Sequence, residues 1–211
     1  MRRIVILISG RGSNMQALLE AQLGAQVSAV ISNEPGARGL EIARGLGVET
    51  AVVHHRDFPS RAVFDLTLGD AIAAHDPDLI VLAGFMRILT PQFLARFQDK
   101  VINIHPSLLP AFTGTNTHRR ALEEGVRIHG CTVHWVTPGL DSGPIIIQAA
   151  VPVMPGDTED TLAARVLREE HRVLPQAVRW ILGGRVSVQG KQVLIGGDCR
   201  YPDPITSPLI A

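Results

Sequence analysis

Of the 211 residues, 45% are hydrophobic and 19% charged, and twenty Lys+Arg balance twenty Asp+Glu. A chain of that length supports one domain whose core needs no disulfide or metal staple. Zero net charge leaves no broad basic field for a polyanion, which argues against a nucleic-acid partner.

Cys131 and Cys199 offer neither a disulfide framework nor metal-ligand spacing, as expected of two thiols in a reducing cytoplasm. The apolar run at 4–8 is shorter than the ~7–15 residues of an export signal, and nothing approaches the ~20 of a membrane span. A cytoplasmic protein with no membrane partner is expected.

In chain order, residues 4–8, 27–31, 50–53, 79–82 and 101–104 are short runs rich in Val and Ile that read as buried strands. Between them, 14–23, 38–46, 61–75 and 91–97 have the pattern of helices, with Pro91 suited to a first turn. This alternation predicts a mostly parallel sheet covered by helices on both faces. Residues 129–136 and 145–151 add two further strands across a loop containing Pro and Gly. A long helix is expected from 158 to 182, capped by Asp157 or Thr158. Beyond it, 186–188 and 192–195 flank Gln189-Gly190-Lys191 as a hairpin. No repeat or linker interrupts the chain, so 1–211 reads as a single domain.

Ligands of an open parallel sheet sit at the carboxyl ends of its strands. The first such end is Ser9-Gly10-Arg11-Gly12-Ser13-Asn14, directly before a helix. Two glycines allow a tight turn, and the amides of a helix start attract an anion such as phosphate. On the residues alone, the stretch is either a phosphate cradle or a glycine-rich turn with Ser13 as N-cap. At the end of the fifth strand, Asn103 and His105 lie two apart and share a face, and Pro106 stops the strand beyond them. Asp141 follows in the loop Pro138-Gly139-Leu140-Asp141-Ser142-Gly143-Pro144. A carboxylate beside an imidazole orients it and favours its charged form, and an Asn amide can stabilise an oxyanion. Linear sequence does not show whether Asp141 reaches His105.

The stretches Asn103-Ile104-His105-Pro106-Ser107-Leu108-Leu109-Pro110, Gly130-Cys131-Thr132-Val133-His134 and Leu140-Asp141-Ser142-Gly143-Pro144-Ile145-Ile146 closely resemble the folate-dependent formyltransferases. Ile8-Ser9-Gly10-Arg11-Gly12-Ser13-Asn14 points to the branch whose formyl acceptor is 5'-phosphoribosylglycinamide (GAR). The resemblance runs from residue 4 to about residue 181. It implies a Rossmann-like, doubly wound α/β fold of about seven strands. It also implies formyl transfer from 10-formyltetrahydrofolate to GAR in purine synthesis, without a metal, by a monomer or homodimer.

By the same resemblance, Asn103, His105 and Asp141 are the catalytic trio. Gly12, Ser13 and Asn14 hold the GAR phosphate, and Glu170 binds the ribonucleotide. Met86, Arg87, Ile88 and Leu89 line the pterin pocket largely through their backbone, and Arg61 and Asn103 also serve the folate. The phosphate-binding half is 1–100, the folate and catalytic half 101–195, and a tail covers 196–211. Glu170 falls in series with Leu162, Val166, Leu174 and Val178, which sets a carboxylate on the apolar face of the long helix. Arg61 would begin its helix, where a positive charge opposes the macrodipole unless an anion is near.

One stretch departs from the family. Family members usually continue Pro-Gly-x-His-Thr-His where this chain has Thr113-Gly114-Thr115-Asn116-Thr117-His118. Asn116 therefore replaces the first histidine. A formyltetrahydrofolate hydrolase, or another folate-dependent formyltransferase, would share the trio and is the alternative reading.

Overall fold

Val and Ile crowd the first five strands because such strands are covered on both faces and their branched side chains fit the pleated surface. In the computed structural model, which describes residues 1–198, 200 and 206–208, these strands are β1 (Arg3–Ile8), β2 (Gln26–Ser32), β3 (Thr50–Val52), β4 (Leu79–Leu82) and β5 (Val101–His105). Cys199 and much of the expected tail, 201–205 and 209–211, lie outside the described residues. β1 pairs in parallel with β2 and β4, β2 with β3, and β4 with β5. With β6 (Ile128–Trp135) and β7 (Ile145–Pro152) they form a seven-stranded sheet in the order β3-β2-β1-β4-β5-β6-β7. β7 runs antiparallel to β6. This is the mostly parallel sheet expected from the alternation of elements and the Rossmann-like α/β fold that the resemblance implies. Strand order reverses between β1 and β4, so their carboxyl ends flank the switch point at which such sheets take ligands.

The chain divides into two compact units, Met1–Asn103 with Trp135–Gly139, and Ile104–His134 with Leu140–Ala211. The first unit carries α1 (Ser13–Glu20), α2 (Arg38–Gly45), α3 (Arg61–Ala73) and α4 (Pro91–Arg96). Its core joins Val5, Leu7 and Ile80 of the strands to Phe64, Leu68 and Ile72 of α3. Each such side chain contributes roughly 1.5–3 kcal/mol when buried. Ser60 Oγ accepts the Val63 N–H at the start of α3, and Thr90 Oγ1 accepts that of Phe93 at the start of α4. α1 ends at Glu20, short of the expected residue 23, because Ala21 is already extended.

In the second unit, α6 (Glu159–Leu182) buries Leu162, Val166, Glu170, Leu174 and Val178, the face read from the sequence. Thr158 and Thr161 form a reciprocal cap at its start. Asp157 sits one residue earlier and takes a two-pronged ion pair from Arg165, at 2.7 and 2.8 Å. β8 (Val186–Gln189) and β9 (Gln192–Ile195) make the expected hairpin. A further helix, α5 (Thr117–Glu123), has no counterpart in the sequence reading. Its only buried residues are Thr117 and Ala121, so it lacks the apolar stripe that betrays a helix. Among the described residues, no helix is long and apolar enough to cross a membrane.

Candidate active site

In the first unit, Gly12 occupies the N-cap of α1 with φ 78°, and Ser13 is the first helical residue. Ser13 is therefore not the cap, and no side chain caps this end. The first-turn amides, at the positive pole of the helix, are thus directed at whatever anion approaches the loop. Ser13 is half-buried and Asn14 buried. Gly12 has a second constraint that the sequence does not reveal. A Cβ there would lie 2.6 Å from Gly39 Cα, so α1 and α2 meet backbone to backbone at this point.

After β4 the chain turns at Gly84, and Met86 and Ile88 stand exposed while Leu89 is buried. This segment is pinned at both ends. The Met86 N–H donates to Ser9 Oγ at 2.8 Å, and the Thr90 N–H donates to the buried Asp65 carboxylate at 2.6 Å. The Arg87 guanidinium lies 5.7 Å from the Phe64 ring centroid. Arg61 is exposed at the first position of α3. Asn103 is half-buried on β5, opposite Leu82 of β4. One donor atom each from Glu34, His54 and His55 lie within 4.8 Å of one another. The two imidazole Nδ1 atoms in that group already face Asp57 Oδ1 at 3.0 Å and the Asn33 carbonyl at 3.1 Å.

The second unit contains the pair that the sequence left open. His105 ends β5 with its Nε2–H donated to the Phe112 carbonyl at 2.9 Å. Its Nδ1 lies 3.5 Å from Asp141 Oδ2, and the two side chains are 6% and 10% exposed. The same Oδ2 accepts the Gly114 N–H at 2.8 Å, and Oδ1 stands 3.9 Å from His134 Nε2. Asp141 adopts φ 46°, a left-handed conformation that costs a non-glycine residue roughly 1–3 kcal/mol unless its surroundings fix it. The imidazole is thus held at one nitrogen by a carbonyl and faced at the other by the Asp141 carboxylate.

The loop after His105 is braced from β6 and β7. Thr132 Oγ1 donates to the Ser107 carbonyl at 2.7 Å and accepts the Leu109 N–H at 3.1 Å. Gln148 Nε2 donates to both the Leu109 carbonyl and Thr132 Oγ1. Helix α5 holds the other side of the loop, with Arg120 donating to the Thr113 carbonyl at 2.6 Å and stacked on Phe112. Asn116 begins α5 as its N-cap at φ 56°. Asp141 is held by the Gly114 amide and faced by His134.

His118 Nδ1 and His129 Nε2 lie 3.2 Å apart beneath this loop. Burial, then the neighbouring His118, pushes His129 down to about 4. His118 is lowered chiefly by burial, with Glu159 opposing and His105 adding to the shift. Both are therefore neutral near pH 7. Burial, followed by Glu170 and Glu169, pushes the Cys131 thiol up to about 12, so it is no nucleophile. Glu170 itself is 6% exposed on α6.

An imidazole fixed beside a carboxylate, on a strand that also carries an Asn amide two residues earlier, suits acyl transfer through an oxyanion. The chain matches the formyl transferase family over residues 2–178. A phosphoribosylglycinamide formyltransferase of Escherichia coli is 46% identical over 203 residues, covering 94% of this chain and 95% of that protein. The crystal structure of glycinamide ribonucleotide transformylase 1 from Symbiobacterium toebii is 48% identical, with a TM-score of 0.90 over 92% of this chain and 94% of that one. The trifunctional purine biosynthetic protein adenosine-3 of Homo sapiens is 44% identical over 88% of this chain, which spans 19% of that longer protein. This chain belongs to the formyl transferase family, and it is an enzyme of one-carbon formyl transfer.

Proposed function

We propose that the enzyme transfers the formyl group of 10-formyltetrahydrofolate to the amine of GAR, giving formyl-GAR and tetrahydrofolate in purine synthesis. The observation that carries this reading is the buried His105–Asp141 pair at the end of β5. The GAR amine attacks the formyl carbon, and the tetrahedral intermediate collapses by expelling the folate nitrogen. Asn103 donates to the oxyanion. The Nε2–H that His105 now gives to Phe112 is offered to the same oxygen, so the loop at 112–114 yields that bond when substrates bind. With an ordered water, His105 passes the proton from the attacking amine to the leaving nitrogen.

In this reading the amides and side chains of Gly12, Ser13 and Asn14 take the phosphate, and Glu170 takes the ribose hydroxyls. The backbone of Met86, Arg87, Ile88 and Leu89 takes the pterin, and Arg61 takes a folate carboxylate. Most of the acceleration comes from holding two substrates together, which can contribute up to about 7–11 kcal/mol. The chain would act as a single domain in the cytoplasm, as monomer or homodimer.

The test is a double-substitution cycle on the rate of formyl transfer to GAR. If Asp141 works only through His105, His105→Ala removes most of kcat and Asp141→Asn removes a large part of it. The double variant is then scarcely slower than His105→Ala. Losses that simply multiply would show two independent residues and refute the paired mechanism.

A further inference from the structure

Beyond the groups assigned to substrates, one chain of hydrogen bonds crosses four adjacent strand ends of the first unit in the sheet order β3, β2, β1, β4. It starts at His55, just after β3. Asn33, immediately after β2, places its Nδ2 3.2 Å from His55 Nδ1. Asn33 Oδ1 lies 2.5 Å from Ser9 Oγ, immediately after β1. Ser9 Oγ in turn receives the Met86 N–H from beyond β4, at 2.8 Å. The direction of the chain is fixed by chemistry. An amide N–H can only donate, so Ser9 Oγ accepts from Met86 and its own proton goes to Asn33 Oδ1. That leaves the Asn33 amino group turned to the imidazole, whose Nδ1 also lies 3.1 Å from the Asn33 carbonyl, so this last contact is a hydrogen bond only in the tautomer with Nδ1 unprotonated.

The position of Ser9 gives this chain its significance. The parallel ladder between β1 and β4 ends with the Ser9 N–H donated to the Gly84 carbonyl at 3.1 Å. Gly84 then turns away at φ 79°. The Ser9 hydroxyl captures it again two residues later, where the segment at 86–89 begins. Asn33 is only 2% exposed, so its amide is committed to this task and does not exchange partners with water. The backbone of Ser9 meanwhile leads straight into Gly10 and the turn before α1.

We propose that Ser9, oriented by Asn33, is a positioning residue that fixes the shape of the 86–89 segment for the folate. The pterin role of that segment rests on the function proposed above. The hydroxyl touches no reacting atom in this account. It sets which way the backbone amides and carbonyls after Met86 point, and it ties that segment to the strand leading into the phosphate loop. Such a fixed backbone lowers the ordering cost of binding a flat, hydrogen-bonding ring.

The experiment has two arms. Amide hydrogen exchange reports the relay directly, without any ligand. Ser9→Ala should accelerate exchange of the Met86 amide about tenfold or more, since its acceptor is gone, whereas Ser9→Thr keeps the hydroxyl and the protection. In steady-state kinetics with 10-formyltetrahydrofolate and GAR, Ser9→Ala should raise the folate KM about tenfold while kcat and the GAR KM stay within about threefold. Ser9→Thr should restore the folate KM. Asn33→Ala, which leaves the hydroxyl but frees its direction, should shift both readouts the same way by less, and the double variant should resemble Ser9→Ala. Unchanged Met86 exchange, or equal increases in both KM values, would overturn the proposal. If the wild type transfers no formyl group to GAR, the function reading fails separately, while the exchange arm still judges the relay.

Discussion

Gly12 shows how one residue can answer to two demands. Its place before α1 suggests that the backbone must approach an anion, but its missing Cβ is also required by Gly39 Cα at 2.6 Å. Any larger residue there strains φ 78° and separates α1 from α2, so its effect on GAR would be mixed with lost stability. Ser13→Ala is the cleaner probe of a phosphate site. It should raise the GAR KM about tenfold, the loss of one hydrogen bond to a charged group, with the folate KM unchanged. Equal weakening of both substrates in steady-state kinetics would speak against the phosphate role. Glu170 is a second single-residue case, a buried carboxylate on the apolar face of α6. Glu170→Gln keeps its size and removes its charge. If it binds ribose, calorimetry should show GAR affinity falling while the melting temperature moves little. A large drop in melting temperature with intact affinity would make it a structural group. Asn103 and His105 stand out in the sequence as a polar pair at a strand end and Asp141 as a carboxylate in a stiff loop, but only the family resemblance joined the three. The groups that hold His105 and Asp141 were hidden, because the Phe112 carbonyl, the Gly114 amide and His134 meet them only through folding.

Element boundaries followed the same logic. Strands β1 to β5 and helix α6 were visible because burial writes period and composition into them. The start of α6 was visible too, since Asp157 and Thr158 are ordinary caps. What the sequence did not expose is the Arg165 clasp on Asp157, eight residues on. The Arg165 guanidinium, helped by the Met154 amide and the Thr161 hydroxyl, holds the Asp157 carboxyl far below the usual carboxylate range. A depressed folded-state pKa means that the unfolded chain takes up the proton first, below its ordinary value of about 3.9. Stability from this clasp is therefore fully present above about pH 4 and is lost as pH falls further. Asp157→Asn should lower the melting temperature at pH 7 by about 3–10 °C, and the gap from wild type should narrow between pH 4 and pH 2. Thermal melts at pH 7, 4, 3 and 2 would check this, and a gap that stays constant with pH would contradict it. α5 was missed for the opposite reason. Its function is polar, presenting Arg120 to the loop beside His105, so it carries no apolar stripe.

At the scale of the molecule, the seven-stranded sheet sets strand ends in a row, and chemistry-bearing residues follow them. Ser9 and Gly12 come after β1, Asn33 after β2, Met86 after β4, and His105 closes β5. The alternation of elements was enough to anticipate that row, whereas the His105–Asp141 distance and the Ser9 relay depend on packing between distant segments. The acceptor is what separates formyl transfer to GAR from hydrolysis, since both would use the same trio. The decisive measurement is therefore the fate of the formyl group when the purified enzyme meets 10-formyltetrahydrofolate with and without GAR. Tetrahydrofolate should appear only when GAR is present, with one formyl-GAR formed for each tetrahydrofolate released. Release of tetrahydrofolate at the same rate without GAR, with free formate as the product, would contradict the account.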